Sequence, residues 1–583
     1  MIDVADLSAK KARPAAPTSP SFSIVIPTYQ RRDLVCDAIS ALGGLTYRSE
    51  VEVIVVVDGS TDGTAVALAD LACRLPVTVI EQANQGAAQA RNCGAAFARN
   101  DIILFLDDDM IVEPGLIEEH ARLYGEGADA VIGDTRIDPR SSEGFLADSV
   151  GRWIASEKVQ TPLCPFDIFA GQLSVRSSVF ETLGGFDPAL TAGLAFGNED
   201  ADFGVKLLTA CVVRHCPSAI SRQRYSVSPR DYMARAKRAA AADVKFIRKH
   251  PRLARELFER KGLKRPIVRW VILPLASLPL VPGLVAALAV WLAEVALKTP
   301  FKRNRLVARF FSGSRMLSYW SALRSIGWWP FSEKLLVLCY HAIADQSDDP
   351  VLAPFGVPPE QFEQQLNSLT RRGFVFITPD QLAAFLEAGA PLPRRPALLT
   401  FDDGYENLTE LARDVLRSRD IEALAFAVTA YVSKTNEWDQ NWGAKPARLL
   451  PAEGLREAVA LGVEIGSHSR THSEMPLLTA EKQAIEACQS ADEIAAMGLP
   501  RPRFFAYPYG ARDEGSAQAV ANAGYVAAFS LRQRWMRRTS DRYDLPRAII
   551  LSSDRGWRFW IKTTAPRAVG WYKYGRRALG LRP

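Results

Sequence analysis

Two pairs of residues in the second half of the chain have the types and spacing of a hydrolytic metal site. His468 and His472 lie four positions apart in GSHSRTH, and they are two of only six histidines among 583 residues. Asp402 and Asp403 lie upstream in LTFDDGY. Two histidines and one aspartate can hold a divalent ion such as Zn²⁺ and leave one position open for water. The second aspartate can then accept a proton from that water, so this pattern predicts hydrolysis of an amide or an ester.

Three consecutive carboxylates occur in the first half. Asp107, Asp108 and Asp109 directly follow the apolar run ILFL. Adjacent carboxylates repel one another, so we expect a cation among them, and hard oxygen ligands suit Mg²⁺ or Mn²⁺. Such an ion could stabilise a diphosphate as a leaving group. Taken alone, the triplet leaves a solvated acidic loop open as the alternative.

Short apolar runs must place these groups. Strands are expected at 22–27, 51–58 and 101–107 in the first half, and at 335–341, 397–404, 423–428, 462–468, 503–510 and 525–530 in the second. Helix-like segments such as 34–42 and 87–98 separate them. Alternating strands and helices predict two α/β domains with parallel sheets. The acidic groups follow strands directly, and the carboxyl ends of strands are where chemistry collects in such sheets.

Several ordered motifs in the first half resemble family 2 glycosyltransferases, which have the Rossmann-like GT-A fold. The motifs are SIVIPTYQRRDLV, VIVVVDGSTDGT, NQGAAQARNCG, ILFLDDDMIVEPG, LGGFDPAL and FGNEDADFGVKL, between residue 21 and about 230. The resemblance implies inverting transfer from a nucleotide sugar, expected to be a UDP sugar, to a glycan or glycolipid acceptor. It also implies roles for individual residues: Thr28, Asp58, Arg91 and Asp107 in nucleotide-sugar binding, Asp109 as the metal ligand, and Asp200 of the Glu199-Asp200 pair as the general base.

Two departures from that family qualify the resemblance. The usual DDGS appears as Val57-Asp58-Gly59-Ser60, with one acidic residue fewer. No clear Q-x-x-R-W, the signature of many processive synthases, is present in the sequence. We therefore expect addition of one or a few sugars rather than polymerisation.

Residues 335–550 resemble carbohydrate esterase family 4, the polysaccharide deacetylases, which fold as a distorted (β/α) barrel. LTFDDGY and GSHSRTH carry the resemblance, and LCYHAI and FFAYPYG support it. It implies that Asp403, His468 and His472 bind Zn²⁺ or a similar divalent ion, and that Asp402 is the catalytic base. The reaction implied is removal of N-acetyl groups from an amino-sugar glycan.

This second resemblance is also incomplete. The arginine usually found just before the proline of the third motif is missing ahead of Pro508. The late Leu-x-His, which supplies a general acid, has no counterpart, and DLPRAI places Arg547 there. His341 is a hypothetical substitute acid, and a hydrogen-bonded structural histidine is the alternative. Trp438 or Asp439 of NEWDQNW could line the sugar groove.

An uncharged segment between the two halves predicts membrane association. The 24 residues from Trp270 to Ala293 carry no charge. As one helix they would cover about 36 Å, enough for a hydrocarbon core of about 30 Å. Pro274, Pro279 and Pro282 interrupt helical hydrogen bonding, and basic residues flank both ends, so the positive-inside rule favours no orientation. A kinked span, a re-entrant hairpin and a buried soluble helix all remain open.

The end of the chain is basic and aromatic. Residues 532–582 hold fourteen Lys and Arg against three Asp, with Trp557, Trp560, Trp571, Tyr572 and Tyr574 among them. Such a tail suits an anionic membrane surface. A merely solvated tail is an alternative, and nucleic acid is a weaker one that we do not expect as a partner.

We therefore predict six segments: a flexible lead-in (1–20), a glycosyltransferase domain (21–265), a membrane-associated segment (266–298), a basic linker (299–333), a deacetylase domain (334–555) and a basic aromatic tail (556–583). No cleaved signal peptide is expected. The scattered cysteines favour a reducing compartment. The predicted function is a membrane-associated bifunctional enzyme of surface polysaccharide or glycolipid synthesis, with the first domain cytoplasmic and the side of the second undecided. The alternative is an active glycosyltransferase with a catalytically dead deacetylase-like domain that serves as a glycan-binding or scaffolding module.

Overall fold

The computed structural model describes residues 20–47, 49–72, 76–141, 144–156, 159, 162–191, 197–328, 331–440 and 442–565. The chain divides into two compact units, one formed by residues 2–246 and 262–323 and the other by 247–261 and 324–583. The predicted lead-in before Pro20 and the tail residues Trp571, Tyr572 and Tyr574 lie outside the described residues.

The first unit contains an eight-stranded mixed sheet with the order β3-β2-β1-β4-β7-β6-β8-β5. β1 pairs in parallel with both β2 and β4, while β7 runs antiparallel to β4 and β6. The strands are β1 (Phe22–Thr28), β2 (Val51–Asp58), β3 (Val77–Gln82), β4 (Ile102–Leu106), β5 (Met110–Val112), β6 (Ala130–Ile137), β7 (Gln172–Arg176) and β8 (Val213–Gln223).

Helices cover both faces of this sheet. β1 and β4 are buried along their whole length, which is why they read as continuous apolar runs. The helices of this unit that begin before residue 247 are α1 (Arg32–Leu42), α2 (Thr64–Ala72), α3 (Ala87–Phe97), α4 (Leu116–Gly125), α5 (Phe145–Ser156), α6 (Ser177–Thr182), α7 (Glu199–Ala210) and α8 (Pro229–Lys249). The strands and helices predicted at 22–27, 51–58, 101–107, 34–42 and 87–98 are confirmed.

The uncharged segment forms a bent pair of helical pieces. A π-helical turn at Val268–Ile272 continues into α10 (Leu273–Ala276), and α11 (Val281–Leu297) follows after a break. Among the described residues, no single helix has the length and apolar composition to cross a bilayer; Val268–Ala276 and Val281–Leu297, bent by 106°, pass only as a pair. The membrane-associated segment therefore stays a prediction.

The second unit contains a nine-stranded sheet. Its main order is β15-β14-β13-β12-β11-β9-β16, with β10 beside β11 and β17 beside β9. An isolated parallel bridge pairs Phe529 of β15 with Leu545, which precedes β17 in the chain. The strands are β9 (Lys334–Tyr340), β10 (Val375–Phe376), β11 (Pro396–Phe401), β12 (Ala423–Ala427), β13 (Val463–Ser467), β14 (Phe504–Ala506), β15 (Ala527–Phe529), β16 (Met536–Arg537) and β17 (Ala548–Ile549).

This unit is also α/β, as predicted. Apolar side chains on both faces of the parallel strands pack against the surrounding helices in separate buried clusters. The helices after residue 334 are α13 (Pro359–Arg371), α14 (Pro379–Ala388), α15 (Leu408–Leu411), α16 (Glu437–Gln440), α17 (Ala452–Ala460), α18 (Ala480–Ala496), α19 (Glu514–Asn522) and α20 (Trp557–Thr564).

The structure divides the chain at other positions than the predicted ones. α9 (Ala254–Arg260), predicted in the first domain, belongs to the second unit, where Phe258 packs 5.0 Å from the ring of Phe331. The predicted basic linker contains α12 (Arg305–Ser325), whose buried residues include Trp320. The predicted tail begins with α20, whose Phe559 joins the core of the second unit. These packing partners are distant in sequence, so hydropathy along the chain does not reveal them.

Candidate active sites

The carboxyl ends of β11 and β13 bring the predicted hydrolytic residues together. Asp402 and Asp403 directly follow β11, and His468 directly follows β13, with β12 between these two strands in the sheet. Asp403 and His472 have positive φ angles of 72° and 59°. Such backbone costs about 1–3 kcal/mol per residue and persists where the surroundings hold it, often at functional sites.

Asp403, His468 and His472 present their ligand atoms to one point. Nε2 of His468 lies 3.5 Å and Nε2 of His472 lies 3.4 Å from Oδ1 of Asp403. A tetrahedral ion with bonds of about 2.0–2.1 Å separates its ligand atoms by about 3.3 Å. All three side chains are buried, and within the described chain no hydrogen-bond partner reaches Oδ1 of Asp403. The residues present therefore fit a Zn²⁺-type ion.

The histidine rings are oriented for this role. Nδ1 of His468 lies 2.7 Å from the carbonyl oxygen of Ala506, so this nitrogen donates its proton there and Nε2 is left with a lone pair. Burial lowers the pKa of His468 to about 4, which keeps the imidazole neutral near pH 7. Nδ1 of His472 lies 3.2 Å from the hydroxyl of Tyr509. A neutral imidazole is the form that binds metal.

Asp402 is paired with Arg547, and its Oδ2 also lies 3.8 Å from Nε2 of His468. Nη1 and Nη2 of Arg547 donate to Oδ1 and Oδ2 of Asp402 over 2.6 and 2.7 Å, a bidentate pair that is fully buried. Burial alone would raise the pKa of Asp402, but the charge and hydrogen bonds of Arg547, together with His468 and His341, hold the pKa well below its usual range. The guanidinium also lies over the rings of Phe426 and Phe529. Asp402 is thus an anion beside the proposed ion, as a base requires.

Replacing Arg547 by lysine is expected to destabilise the second unit by about 1.5–3 kcal/mol, because one charged bidentate interaction is lost in a buried site. For a domain of this size the loss corresponds to a melting temperature lower by about 3–12 °C. Differential scanning calorimetry of the full chain measures it. Arg501→Lys is the matched control, since Arg501 pairs with Asp492 at the surface. Equal shifts for the two variants would contradict the proposed importance of the buried pair.

His341 lies at the other side of Asp402. The ligand atoms of Cys339, His341 and Asp402 lie within 4.8 Å of one another. Nδ1 of His341 is buried, and no partner for it is found in the described part of the chain. Because Arg547 already neutralises Asp402, this group is less suited to a cation than the Asp403 group. The position is compatible with a proton donor, and that role stays a prediction.

In the first unit, Arg91 connects three predicted site residues. Its Nη2 donates to Oδ1 of Asp107 over 2.7 Å, and its Nη1 donates to Oε1 of Glu199 over 3.1 Å. Oδ1 of Asp200 lies 3.9 Å from the same nitrogen. Arg91 is buried on α3, so the end of β4 and the first turn of α7 meet at one guanidinium. The structure therefore brings the D-x-D and ED motifs together.

Thr28 and Asp58 lie at the ends of β1 and β2, where the sequence places them. The hydroxyl of Thr28 donates to Oδ2 of Asp108 over 2.8 Å. Asp58 accepts backbone N–H groups of Gln85 and Gly86 over 2.8 and 2.9 Å. Asp58 thus holds the loop that begins α3, and the predicted contacts of both residues with the nucleotide stay predictions.

The three aspartates after β4 point to different partners. Asp107 faces Arg91, whereas Nη1 of Arg31 lies 2.8 Å from Oδ1 of Asp108 and 3.2 Å from Oδ2 of Asp109. In the described ranges, two clusters of His, Cys, Asp or Glu side chains lie close enough together to hold an ion. Both clusters are in the second unit. Burial, followed by the neighbouring Asp108, raises the pKa of Asp109 to about 7. A cation would relieve this, but an ion here needs ligands that the three side chains do not supply alone.

Asp200, predicted to be the general base, lies in the first turn of α7. The preceding Asn198 has a left-handed backbone with φ of 73°, and its side chain donates to Oδ1 of Asp243 over 2.7 Å. Burial and the adjacent Glu199 raise the pKa of Asp200 to about 8, although Arg91 opposes the shift. A carboxylate with a pKa near the working pH is suited to general-base catalysis.

Comparison with known families agrees with both geometries. The family model Glycosyl transferase family 2 matches residues 23–173, and the model Polysaccharide deacetylase matches residues 389–528. The chain joins a family 2 glycosyltransferase domain to a polysaccharide deacetylase domain. The second match contains all four predicted hydrolytic residues, whereas Asp200 lies beyond the first.

Individual relatives match one domain each. The Bacillus subtilis protein YxkH, whose name places it among the polysaccharide deacetylases, is 26% identical over 33% of the chain and 62% of its own length. Validoxylamine A glucosyltransferase of Streptomyces hygroscopicus is 28% identical over 43% of the chain and 62% of its own length. Poly-β-1,6-N-acetyl-D-glucosamine N-deacetylase of Staphylococcus aureus is 24% identical over 36% of the chain and 71% of its own length. The chain thus spans just under two thirds of the first two relatives.

Aromatic side chains surround the ion-binding group of the deacetylase domain. Trp438 stacks on His472 with ring centroids 4.5 Å apart, and Tyr509 packs edge-on to the same ring at 4.8 Å. Trp442 is exposed and lies 5.8 Å from Tyr509. Asp439 is buried beside them. The stretch predicted to line the sugar groove therefore does lie against the candidate site.

Trp438→Ala is expected to lower kcat/KM for acetate release about 2- to 10-fold, because an aromatic pair contributes about 0.5–1.5 kcal/mol beyond area burial. The loss of packing on His472 should also weaken zinc binding, which titration against a chelator measures. Trp557→Ala, a change at an exposed tryptophan on α20, is the control. If both variants behave alike, Trp438 does not support the site.

The sequence did not reveal the site contacts of two arginines. The arginine usually found before the proline of the third motif is missing from the sequence. In the structure, Arg547 provides a guanidinium at Asp402, although it lies 145 residues further along the chain. Nor did the sequence reveal the contacts of Arg31, which bridges Asp108 and Asp109. The only sequence signal for Arg547 was an arginine in place of the late histidine motif. Arg31 offered none beyond its position after Thr28.

Proposed function

We propose that this protein transfers a sugar from a nucleotide-sugar donor and removes N-acetyl groups from an amino-sugar glycan or glycolipid, in the synthesis of a surface polysaccharide or glycolipid at a membrane. The observation that carries the proposal is the convergence of Asp403, His468 and His472 beside the ion-paired Asp402. The glycosyltransferase domain supplies the donor class. The Staphylococcus relative, which is named for an N-acetylglucosamine polymer, supports the amino-sugar substrate.

In the deacetylase domain, Asp403, His468 and His472 would hold a divalent ion, which when bound acts as a Lewis acid and lowers the pKa of nearby water. Asp402, kept anionic by Arg547, accepts a proton from the attacking water. The oxygen of that water attacks the acetyl carbon, the C–N bond breaks, and acetate leaves. We assign His341 the proton donated to the departing nitrogen. Trp438 and Tyr509 position His472 and exclude bulk water.

In the glycosyltransferase domain, Thr28, Asp58, Arg91 and Asp107 would bind the donor. Asp109 would hold Mg²⁺ or Mn²⁺, which when bound neutralises the diphosphate of the donor. Asp200 accepts the proton of the acceptor hydroxyl, and the hydroxyl oxygen attacks the anomeric carbon as the bond to the nucleoside diphosphate breaks. Attack opposite the leaving group inverts the anomeric configuration. Nucleotide sugars are cytosolic, so we place this domain in the cytoplasm.

The two reactions can be assayed separately with the full chain. N-Acetylglucosamine oligomers with β-1,6 or β-1,4 linkages and added Zn²⁺ should release acetate, and UDP sugars with an acceptor should release UDP. A chelator specific for zinc should stop acetate release, and re-addition of Zn²⁺ should restore it. Acetate release that persists in the metal-free chain would contradict the proposed hydrolytic site.

A second candidate function keeps the transferase and makes the deacetylase domain a glycan-binding module. The absence of a late histidine in the sequence favours it, because His341 must otherwise act as the acid. Binding of N-acetylglucosamine oligomers without acetate release, with zinc bound, would support this candidate. Acetate release would exclude it.

A further inference from the structure

We propose that α11 and the bent arm before it lie flat on an anionic membrane, so that the chain binds one leaflet without crossing it. The binding of the membrane does not depend on which reactions the two domains catalyse, whereas the assignment to the cytoplasmic side rests on the proposed nucleotide-sugar donor. It distinguishes among the span, hairpin and buried-helix alternatives that the sequence leaves open.

One face of α11 is already occupied by the first unit. Ala289 and Ala293 are 1% and 0% exposed, and they pack in a cluster with Phe145 of α5, Met233 of α8 and Phe311 of α12. The rings of Phe145 and Phe311 are themselves in contact, with centroids 5.6 Å apart. A helix fixed along its middle to a folded, partly polar domain cannot be surrounded by lipid. The structure therefore opposes a transmembrane orientation of α11.

The opposite face of α11 is apolar and uncovered. Leu284, Leu288, Trp291 and Val295, here called the apolar stripe, are 68%, 49%, 58% and 44% exposed. Their spacing of four, three and four residues places them along one side of the helix. The stripe is not isolated, since twelve of the 24 exposed large hydrophobic side chains among the described residues lie between Ile267 and Phe310. An apolar concentration of this kind marks an interaction surface.

The charges around the stripe favour anionic lipid as the occupant. Five exposed basic residues flank α11 in the sequence: Arg269 before it, and Lys298, Arg303, Arg305 and Arg309 after it. The guanidinium of Arg269 lies 5.7 Å above the ring of Trp270, so an aromatic residue and a cation occur side by side as they do at membrane interfaces. Apolar side chains with a basic rim are the composition of interfacial helices, which are held by buried area and by attraction to anionic headgroups.

The length of α11 agrees with this arrangement. Its 17 residues would extend about 26 Å, which is short of a hydrocarbon core of about 30 Å. The 106° bend turns the preceding arm away from the α11 axis instead of extending it. Trp270 and Leu280, on that arm and at the bend, are 74% and 77% exposed and enlarge the apolar surface. With in-plane binding, both domains face the same compartment. This compartment is the cytoplasm, because the proposed nucleotide-sugar donor is cytosolic.

Flotation of the full chain with phosphatidylglycerol–phosphatidylcholine vesicles tests the surface. The double variant Leu288→Ser, Trp291→Ser should reduce the vesicle-bound fraction at least tenfold. The control Val66→Ser, Phe97→Ser changes two side chains that are 70% and 53% exposed on α2 and α3, and it should change binding less than twofold. Vesicles of phosphatidylcholine alone should bind more weakly, and added salt should reduce binding to the anionic vesicles. Circular dichroism checks that each variant is folded.

Three results would overturn the proposal. The first is equal binding by the two double variants. The second is a change of oligomeric state in the stripe variant with unchanged vesicle binding, which would make the stripe an interface between copies of this chain. The third concerns protease treatment of sealed inside-out vesicles from expressing cells. The added protease should digest both domains. Protection of the deacetylase domain alone would show that the chain crosses the membrane.

Discussion

His468→Ala is expected to remove the zinc from the deacetylase domain and to lower acetate release by more than the roughly 10–100-fold that loss of an outer-shell partner costs. His468 is one of three buried ligands around a single point, and two ligands cannot close the site. Metal analysis of the purified chain should fall from about one equivalent to near zero. Transfer from the nucleotide sugar should stay within about twofold, because the other domain contains its own site.

His250→Ala serves as the control for this variant. His250 belongs to the same unit but precedes a short 3₁₀ turn far along the sequence from the candidate site. This variant should keep its zinc and its rate of acetate release. A His468→Ala chain that still holds stoichiometric zinc and releases acetate would contradict the assignment of Asp403, His468 and His472 as metal ligands.

Asp200→Asn is expected to lower the rate of glycosyl transfer about 10²–10⁴-fold, the usual contribution of a general base. Asparagine has nearly the same shape but cannot accept the proton of the acceptor hydroxyl. Binding of the donor, measured by calorimetry, should change little, because the predicted donor contacts lie at Thr28, Asp58, Arg91 and Asp107. Acetate release by the deacetylase domain should be unaffected.

Two further measurements make the Asp200 prediction specific. Asp202→Asn is the neighbouring control, since Asp202 is buried in the same turn but has no assigned catalytic role. In the wild type, the transfer rate should increase from pH 6 to pH 8, because burial raises the pKa of Asp200 to about 8 and only its ionised form accepts a proton. An unchanged rate in Asp200→Asn would show that another group is the base.

The apolar stripe and the two candidate active sites together suggest how the proposed enzyme works at the membrane. If α11 lies on the cytoplasmic leaflet, a lipid-linked acceptor meets the transferase at the surface where the nucleotide sugar is available. The deacetylase domain then works on the same side, on a glycan that has not yet been exported. This order follows from the chemistry of the two steps, since transfer adds the sugar that deacetylation can modify.

The sequence by itself determined most of the elements, and it predicted the candidate site residues. The apolar runs are long and uninterrupted, so β1, β2, β4, β9 and β11 occur where they were predicted, and parallel strands place the residues that follow them at one edge. LTFDDGY and GSHSRTH needed no structure to be paired, because few chemistries require two carboxylates and two histidines. The uncharged stretch was equally plain, although its composition could not separate a span from a surface helix.

Only the tertiary structure decided which partners those residues have. Arg547 and Asp402 are 145 residues apart in sequence, yet they form a buried bidentate pair. Arg91, which the resemblance assigns only to nucleotide-sugar binding, joins Asp107 and Glu199. The sequence places α9 in the first domain, α12 in a linker and α20 in a tail. In the structure, α9 belongs to the second unit, α12 has buried side chains, and α20 packs on the core of the second unit. Local sequence specifies backbone preference and which residues are apolar, whereas pairing of distant charges and occupation of a helix face depend on how the chain closes in space.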